Sequence, residues 1–192
     1  MDQAALKELF IEQIRDIYDA EKQLVKALPK LAKASESEEL AEALRMHLEE
    51  TQNHVSRIED VFGVVGVNPK SKPCKGMKGL IEEGSEAVRE EDKGPLRDLA
   101  IIAGAQRVEH YEISAYGTAR TLAEQLGLDD AVGLLQQTQD EEEQADAKLT
   151  DVAATLYESS RQEDAGEEEE RETVGASRGG RNGSARRSRK AH

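Results

Sequence analysis

The chain has 192 residues, which is enough for one domain with a substantial hydrophobic core and an extension. Hydrophobic residues make up 37% of it, with two Phe and no Trp, so the core must be built from Leu, Ile, Val and Ala, a composition that suits helices. The formal net charge of −14 argues against nonspecific DNA binding by the folded part and favours the attraction of cations.

The sequence also bears on the compartment. Cys74 is the single cysteine, which excludes an internal disulfide, and neither a charged-then-apolar leader nor a long apolar run is present. We therefore expect a cytoplasmic protein without a membrane-spanning segment.

Two long amphipathic helices are predicted in the first third of the chain. Residues 2–34 place Leu and Ile on one face at three- and four-residue steps, with Glu21 near the middle of that apolar face. Pro29 stands inside this stretch, where it can kink the helix or end it early. A capping box made by Ser35 and Glu38 begins the second helix, which is expected to run to about residue 62.

The second helix carries three polar side chains beside its apolar stripe. His47, Glu50 and His54 follow one another at i, i+3 and i+7, so they lie along one side of the helix. A histidine, a glutamate and a histidine on a buried seam need a charge to hold them, and a metal ion is the obvious candidate.

A long connection follows the second helix. Residues 63–79 are rich in Gly, Pro and Lys, a composition that regular helix does not tolerate. A short helix from Met77 to about Glu91 is predicted within the connection, before Pro95 begins the next long helix.

The third long helix is predicted over residues 95–126 and is ended by Gly127. Its apolar face includes His110, with Glu109 within reach of the seam and Glu112 nearer the border. A lone inward histidine such as His110 is more often a hydrogen-bonded core residue than a metal ligand.

The fourth long helix is predicted over residues 129–157 and turns Glu142 and Asp146 toward the core. Residues 158–192 form an acidic block and then a basic one, and neither block can bury apolar surface. We therefore expect a domain at 1–157 and a disordered tail at 158–192. The basic end of the tail either makes a weak contact with nucleic acid or stays solvated against the acidic body.

Each of the four long helices thus carries at least one inward carboxylate. Glu50 with His54, and Glu142 with Asp146, add a second donor four residues on, which resembles a di-iron carboxylate bundle. The usual spacing there is Glu-x-x-His, but residues at i and i+4 still share a helix face. Burying these carboxylates without a cation would cost several kcal/mol each, on the order of the effective desolvation penalty.

Five segments resemble, one after another, those of the YciE/YciF-type ferritin-like proteins of bacteria, and the likeness runs from about Leu6 to Tyr157. They are IRDIYDAEKQLVKALPKLA, HLEETQNHVSRIE, CKGMKGLIEEG, AQRVEHYEISAYGTARTLAEQLG and LLQQTQDEEEQADAKLT. The resemblance implies an all-α, ferritin-like antiparallel four-helix bundle, with a short helix in the crossover between the second and third long helices. It also implies a homodimer, a di-metal site and a stress-associated role. The glutamate pair Glu109-x-x-Glu112 matches the third helix of the wider rubrerythrin-related group.

The interpretation that follows is a protein that binds two Fe or Mn ions, since carboxylate-rich ligation suits these metals better than Zn or Cu. The expected ligands are Glu21, Glu50, His54, Glu109, Glu112, Glu142 and Asp146. His47 and His110 are expected to hold ligating carboxylates in place without contacting the metal.

If the chain is an enzyme, the resemblance implies a ferroxidase- or peroxidase-like oxidoreductase that oxidises Fe(II) with O₂ or peroxide. One alternative is a non-enzymatic, stress-linked dimeric scaffold that keeps a relict metal site. Another is a helical bundle tethered to DNA by its basic tail. Metal stoichiometry separates the first reading from the scaffold, and removal of the tail tests the third.

Overall fold

The computed structural model describes the backbone of residues 2–90 and 92–179, and the side chains of residues 2–89 and 92–161. This part of the chain forms five α-helices and no strand, so the expected all-helical fold is confirmed. The helices are α1 (Gln3–Ala34), α2 (Glu38–Val65), α3 (Lys75–Glu90), α4 (Pro95–Leu126) and α5 (Asp129–Gly179). None of the described helices is long and apolar enough to cross a membrane.

The junction between α1 and α2 differs from the predicted one. Helix α1 continues through Pro29 to Ala34, so the proline does not end it. Ser35 does not cap α2; its hydroxyl donates a hydrogen bond to the Leu31 carbonyl of α1 at 2.9 Å. The side chain of Ser37 caps α2 instead.

Asp98, near the start of α4, ties this junction down. Its carboxylate is buried and accepts hydrogen bonds from the backbone N–H groups of Glu36 at 2.9 Å and Ser37 at 2.7 Å. Charged acceptors make the stronger hydrogen bonds, so Asp98 joins three long helices at one end of the molecule.

Glycines end two of the long helices by entering the left-handed region of backbone conformation. Gly66 follows α2 with φ of 77°, and Gly127 follows α4 with φ of 66°. A side chain at either position would strain the backbone. The predicted stop at Gly127 is confirmed.

Helix α3 lies in the connection between α2 and α4, and it packs against α1 and α4. It begins at Lys75, two residues before the predicted Met77, because the carboxylate of Asp19 on α1 accepts a hydrogen bond from the Cys74 backbone N–H at 2.8 Å. This contact fixes the start of α3 against α1.

One hydrophobic cluster joins the four long helices. It contains Phe10 from the first half of α1, Phe62 from the end of α2, Tyr116 from the second half of α4 and Leu135 from the start of α5. Since these parts meet, α1 and α5 run in one direction and α2 and α4 run in the other.

The sequence predicted that the last helix ends at Tyr157. In the structure, helix α5 continues beyond that residue to Gly179. Residues 180–192 of the predicted tail lie outside the described part of the chain, and the expected disorder of the tail stays a prediction. Contacts divide the chain into units Met1–Ala153 and Ala154–His192. The predicted domain boundary after residue 157 stays a prediction.

Candidate metal centre

Six ionisable side chains from the four long helices are buried together in the first unit. Each of these residues is at most 6% exposed, and four of the six are glutamates. The six are Glu21 of α1, His47 and His54 of α2, Glu109 and Glu112 of α4, and Glu142 of α5.

Helix periodicity explains why residues distant in sequence meet here. Glu109 and Glu112 are three residues apart, and His47 and His54 are two turns apart, so each pair lies on one face of its helix. Because α1, α2, α4 and α5 pack around one core, these faces converge with those of Glu21 and Glu142.

The ligand atoms of these side chains fall into two overlapping groups. One group comprises His47, Glu109, Glu112 and Glu142, and the other comprises Glu21, His54 and Glu142. Within each group the donor atoms lie within 4.8 Å of one another. Glu142 belongs to both groups, and each group has the residue types that hold a metal ion.

The two oxygens of Glu142 face different groups. Its Oε1 lies 2.9 Å from His54 Nδ1, and its Oε2 lies 3.7 Å from His47 Nε2. His47 Nε2 is also 3.5 Å from Glu109 Oε2, and His54 Nδ1 is 3.7 Å from Glu21 Oε1. The carboxylate of Glu142 therefore stands between the two histidines.

Many of the donor atoms lack a hydrogen-bond partner although they are buried. They include both oxygens of Glu112, Oε2 of Glu142, one oxygen each of Glu21 and Glu109, and Nε2 of His47. Leaving a buried polar group unpaired costs about 1–3 kcal/mol. Such atoms gathered around one space are what a cation site requires.

The outer nitrogen of each histidine faces a carboxylate. His54 Nε2 lies 2.8 Å from Glu141 Oε2, and Arg57 holds Glu141 with two hydrogen bonds of 2.8 and 3.1 Å. His47 Nδ1 lies 3.4 Å from Glu50 Oε2. A carboxylate that takes the outer N–H leaves the inner nitrogen free as a metal ligand, an arrangement common around protein-bound metals.

Burial shifts the pKa of the carboxyl groups in the cluster. Loss of water around Glu109 and Glu112 raises their pKa values well above the usual carboxyl range, and Glu21 is raised as well. Burial also raises the pKa of Glu142, but His54 and His47 outweigh that effect and hold it below its usual value.

The imidazoles respond to the same carboxylates. Burial disfavours their charged form, but Glu109 and Glu50 outweigh it and raise the pKa of His47 to about 9. In the same way, Glu142 and Glu21 raise the pKa of His54 to about 10. Without a cation, protons on these groups neutralise the cluster.

The structure brings five of the seven predicted ligands together: Glu21, His54, Glu109, Glu112 and Glu142. It does not place Glu50 or Asp146 in either group. Glu50 supports His47, whereas Asp146 accepts a hydrogen bond from Gln106 at 3.1 Å. Their roles as ligands stay predictions.

The two histidines expected to act from behind the ligands are placed differently from each other. His47 joins the buried cluster directly. The side chain of His110 is 69% exposed, so its predicted place on the buried face of α4 is wrong. The buried face of that helix passes through Ile101, Ala105 and Val108.

Three supporting residues were missed in the sequence. Glu141 and Arg57 hold His54 from outside, and the Tyr116 hydroxyl donates a short hydrogen bond to Glu21. The position of Glu141 on an ideal helix does not show whether it faces inward. The available signal was Arg57, three residues after His54 on the same helix, since an arginine there can hold a carboxylate beside the histidine.

Comparison with known proteins agrees with this architecture. The sequence pattern of a domain of unknown function, DUF892, matches residues 5–162. Protein YciF of Escherichia coli (strain K12) is 47% identical over 154 residues, which cover 80% of this chain and 93% of YciF.

Solved structures show the same likeness. The crystal structure of the E. coli stress protein YciF matches with a TM-score of 0.77 at 46% identity, covering 80% of this chain and 97% of that one. YcfI from Rhodopseudomonas palustris matches with a TM-score of 0.73 at 43% identity, covering 76% of this chain and 92% of that one. A protein from Xanthomonas campestris pv. campestris matches with a TM-score of 0.63 at 15% identity, covering 83% of this chain and 99% of that one. This match shows a shared fold and no more. The chain belongs to the DUF892 family and is a homologue of the stress protein YciF.

Proposed function

We propose that this chain is a ferritin-like four-helix protein that binds two divalent cations, Fe²⁺ or Mn²⁺, and oxidises Fe²⁺ with peroxide or O₂ during stress. The observation that carries the proposal is the pair of buried donor groups that share Glu142. The likeness to a stress protein supports a role during stress. The buried donor atoms support the binding of metal ions.

Charge balance supports a pair of divalent ions. The two groups together hold four carboxylates and two imidazoles. When the carboxylates are ionised and the imidazoles neutral, their summed charge equals and opposes that of two divalent cations. A buried cluster is tolerated when its charges are compensated in this way.

The donor types favour iron or manganese. Oxygen donors from Glu21, Glu109, Glu112 and Glu142 outnumber the nitrogen donors from His47 and His54, and no thiolate belongs to either group. Carboxylate oxygen with imidazole suits Fe²⁺ and Mn²⁺, whereas thiolate-rich sites select Zn²⁺ or Cu⁺.

With Fe²⁺ as the substrate, the reaction balances without another reductant. Two Fe²⁺ ions each give one electron to one hydrogen peroxide molecule, its O–O bond breaks, and two protons are taken up to form two waters. The protons displaced from the cluster when cations bind are a local source for that uptake. Oxidising Fe²⁺ with peroxide removes both reagents that together would damage the cell.

Metal stoichiometry tests the proposal. Protein stripped of metal and reconstituted anaerobically is expected to bind two Fe²⁺ per chain. Glu142→Ala should lower the uptake at both positions, whereas Glu143→Ala, an exposed neighbour on α5, should leave it unchanged. Uptake far below two ions, or equal uptake by both variants, would refute the di-metal function and favour the scaffold interpretation.

A peroxide assay then tests the reaction itself. Loaded protein is expected to consume one hydrogen peroxide for every two Fe²⁺ oxidised. If the protein binds two Fe²⁺ but they are oxidised no faster than Fe²⁺ in buffer, the metal site is supported and the oxidoreductase activity is excluded.

Two further expectations from the sequence stay predictions. The resemblance implies a homodimer, which sedimentation of the full chain measures. A contact of the basic tail with nucleic acid predicts that truncation after Tyr157 weakens DNA retention at low salt.

A further inference from the structure

A groove between α2 and α5 reaches from the surface to His47, one residue of the candidate metal centre. Its volume is about 500 Å³. Ala43 and Leu44 line it from α2, and Ala145 and Leu149 line it from α5. His47 also lines this groove and at the same time belongs to the buried donor cluster.

His47 connects the groove with the cluster through its two ring nitrogens. Nδ1 faces Glu50 Oε2 at 3.4 Å, and the Glu50 side chain is 43% exposed. Nε2 lies 3.5 Å from Glu109 Oε2 and has no hydrogen-bond partner. A half-exposed carboxylate, a buried imidazole and a buried carboxylate therefore follow one another inward.

The carboxylates along the groove differ in their partners. At its outer part, Glu39 is paired with Lys148 at 2.8 Å, and the nearby Arg45 contacts both Glu38 and Glu42 at 2.9 Å. No lysine or arginine contact is described for Glu50, which faces His47. A cation that displaces the proton of His47 therefore has Glu50 as its neighbouring carboxylate.

We propose that divalent cations reach the metal centre through this groove, with Glu50 as a positioning residue that receives each ion and His47 as the first buried donor it meets. The inference rests on the proposed function, and it adds the route. The groove volume of about 500 Å³ admits a hydrated ion, and the inner nitrogen of His47, once it has lost its proton, supplies the donor that replaces water. Glu50 acts in delivery and does not remain bound to the ion.

The rate of anaerobic Co²⁺ uptake tests this route, with the Co²⁺ absorption bands as the signal. Ala145→Phe places a large side chain in the groove, and Ala43→Phe does so from the opposite wall. Ala147→Phe is the matched control, because Ala147 is an exposed residue on the same helix that does not line the groove. Glu50→Gln removes the charge with little change of size. Far-ultraviolet circular dichroism checks that each variant keeps its helix content.

Both groove-filling variants are expected to slow uptake, because each places a phenyl ring in the path of the ion. Their final absorbance should equal that of the unchanged protein, and Ala147→Phe should fill at the unchanged rate. Loss of the Glu50 charge in Glu50→Gln should slow uptake by about tenfold, the lower end of the range that electrostatic focusing in clefts produces. It should also make uptake less sensitive to salt, because the attracting charge is lost.

The outcomes distinguish the route from the site. If the unchanged protein binds no Co²⁺, the proposed function itself fails. If it binds two ions and both groove-filling variants fill as fast as Ala147→Phe, the groove is not the route. If Glu50→Gln lowers the final stoichiometry, Glu50 is a resident ligand, which overturns its delivery role.

Discussion

Replacing Glu112 with methionine is expected to stabilise the metal-free protein and to weaken its metal binding. Both oxygens of Glu112 are buried without hydrogen-bond partners, and burial raises the pKa of the carboxyl well above its usual range. Methionine has a similar length and no group that needs a hydrogen bond. The substitution therefore removes a cost that only a bound cation offsets.

The expected gain follows from the cost of unpaired buried groups, about 1–3 kcal/mol. For a chain of this length, each kcal/mol shifts the melting temperature by about 2–4 °C. Urea unfolding of protein dialysed against chelator measures the gain directly. Glu49→Met is the control, because Glu49 is exposed on α2 and the expected change there is within about 0.5 kcal/mol.

The second half of the prediction concerns added metal. A cation at about 100 times its dissociation constant stabilises a protein that binds it by about 2.7 kcal/mol per site. Glu112→Met should lose part of this stabilisation, and Glu49→Met should keep it. The reasoning is wrong if metal-free Glu112→Met unfolds at a lower urea concentration than the unchanged protein.

Three further predictions concern the surroundings of the site. Folding raises the pKa of His47 to about 9 and of His54 to about 10 from 6.5, so the metal-free folded state holds protons that the unfolded chain has already released. Its free energy of unfolding should therefore fall between pH 6.5 and 9, and a flat or rising urea profile over that range contradicts this. Glu141→Gln should weaken metal affinity by about 10–100-fold at unchanged stoichiometry, because Glu141 orients His54. Titration calorimetry measures the affinity and the stoichiometry. An affinity equal to that of the unchanged protein would exclude the orienting role. Asp98→Ala should lower the free energy of unfolding by about 3 kcal/mol, since two charge-assisted hydrogen bonds are lost. Urea unfolding measures the loss, and a change under about 1 kcal/mol would show that water replaces the carboxylate.

Much of the helical fold could be predicted because local signals agreed with tertiary packing. Apolar residues at helical spacing located all four long helices, and Gly127 marked the end of α4 correctly. The end of α1 was less certain, because a proline weakens a helix only locally and packing can override that loss. Pro29 is an example, since α1 continues five residues beyond it.

The site was predictable where a carboxylate stood well inside an apolar stripe. Glu21 and Glu142 did so, and both are buried. Which of His47 and Glu50 is buried could not be predicted from the sequence, because both lie at the edge of the stripe. The packing of α4 and α5 around His47 decides it.

A small error in helix phase accounts for His110. It was placed by counting along an ideal helix from a single apolar residue, and the actual buried face depends on how neighbouring helices pack. The contacts of Tyr116 with Glu21 and of Arg57 with Glu141 join residues more than 80 positions apart. Such pairs depend on tertiary geometry that helix periodicity does not contain.

The position of Glu142 between the two donor groups has a consequence for how they fill. An ion held by one of its oxygens fixes the orientation of the other oxygen, which faces the second group. In the proposed di-metal site, binding at one position would therefore alter affinity at the other, and thermodynamic linkage would make that effect equal in both directions. The two positions are expected to behave as a coupled pair, with a binding curve that independent sites cannot fit.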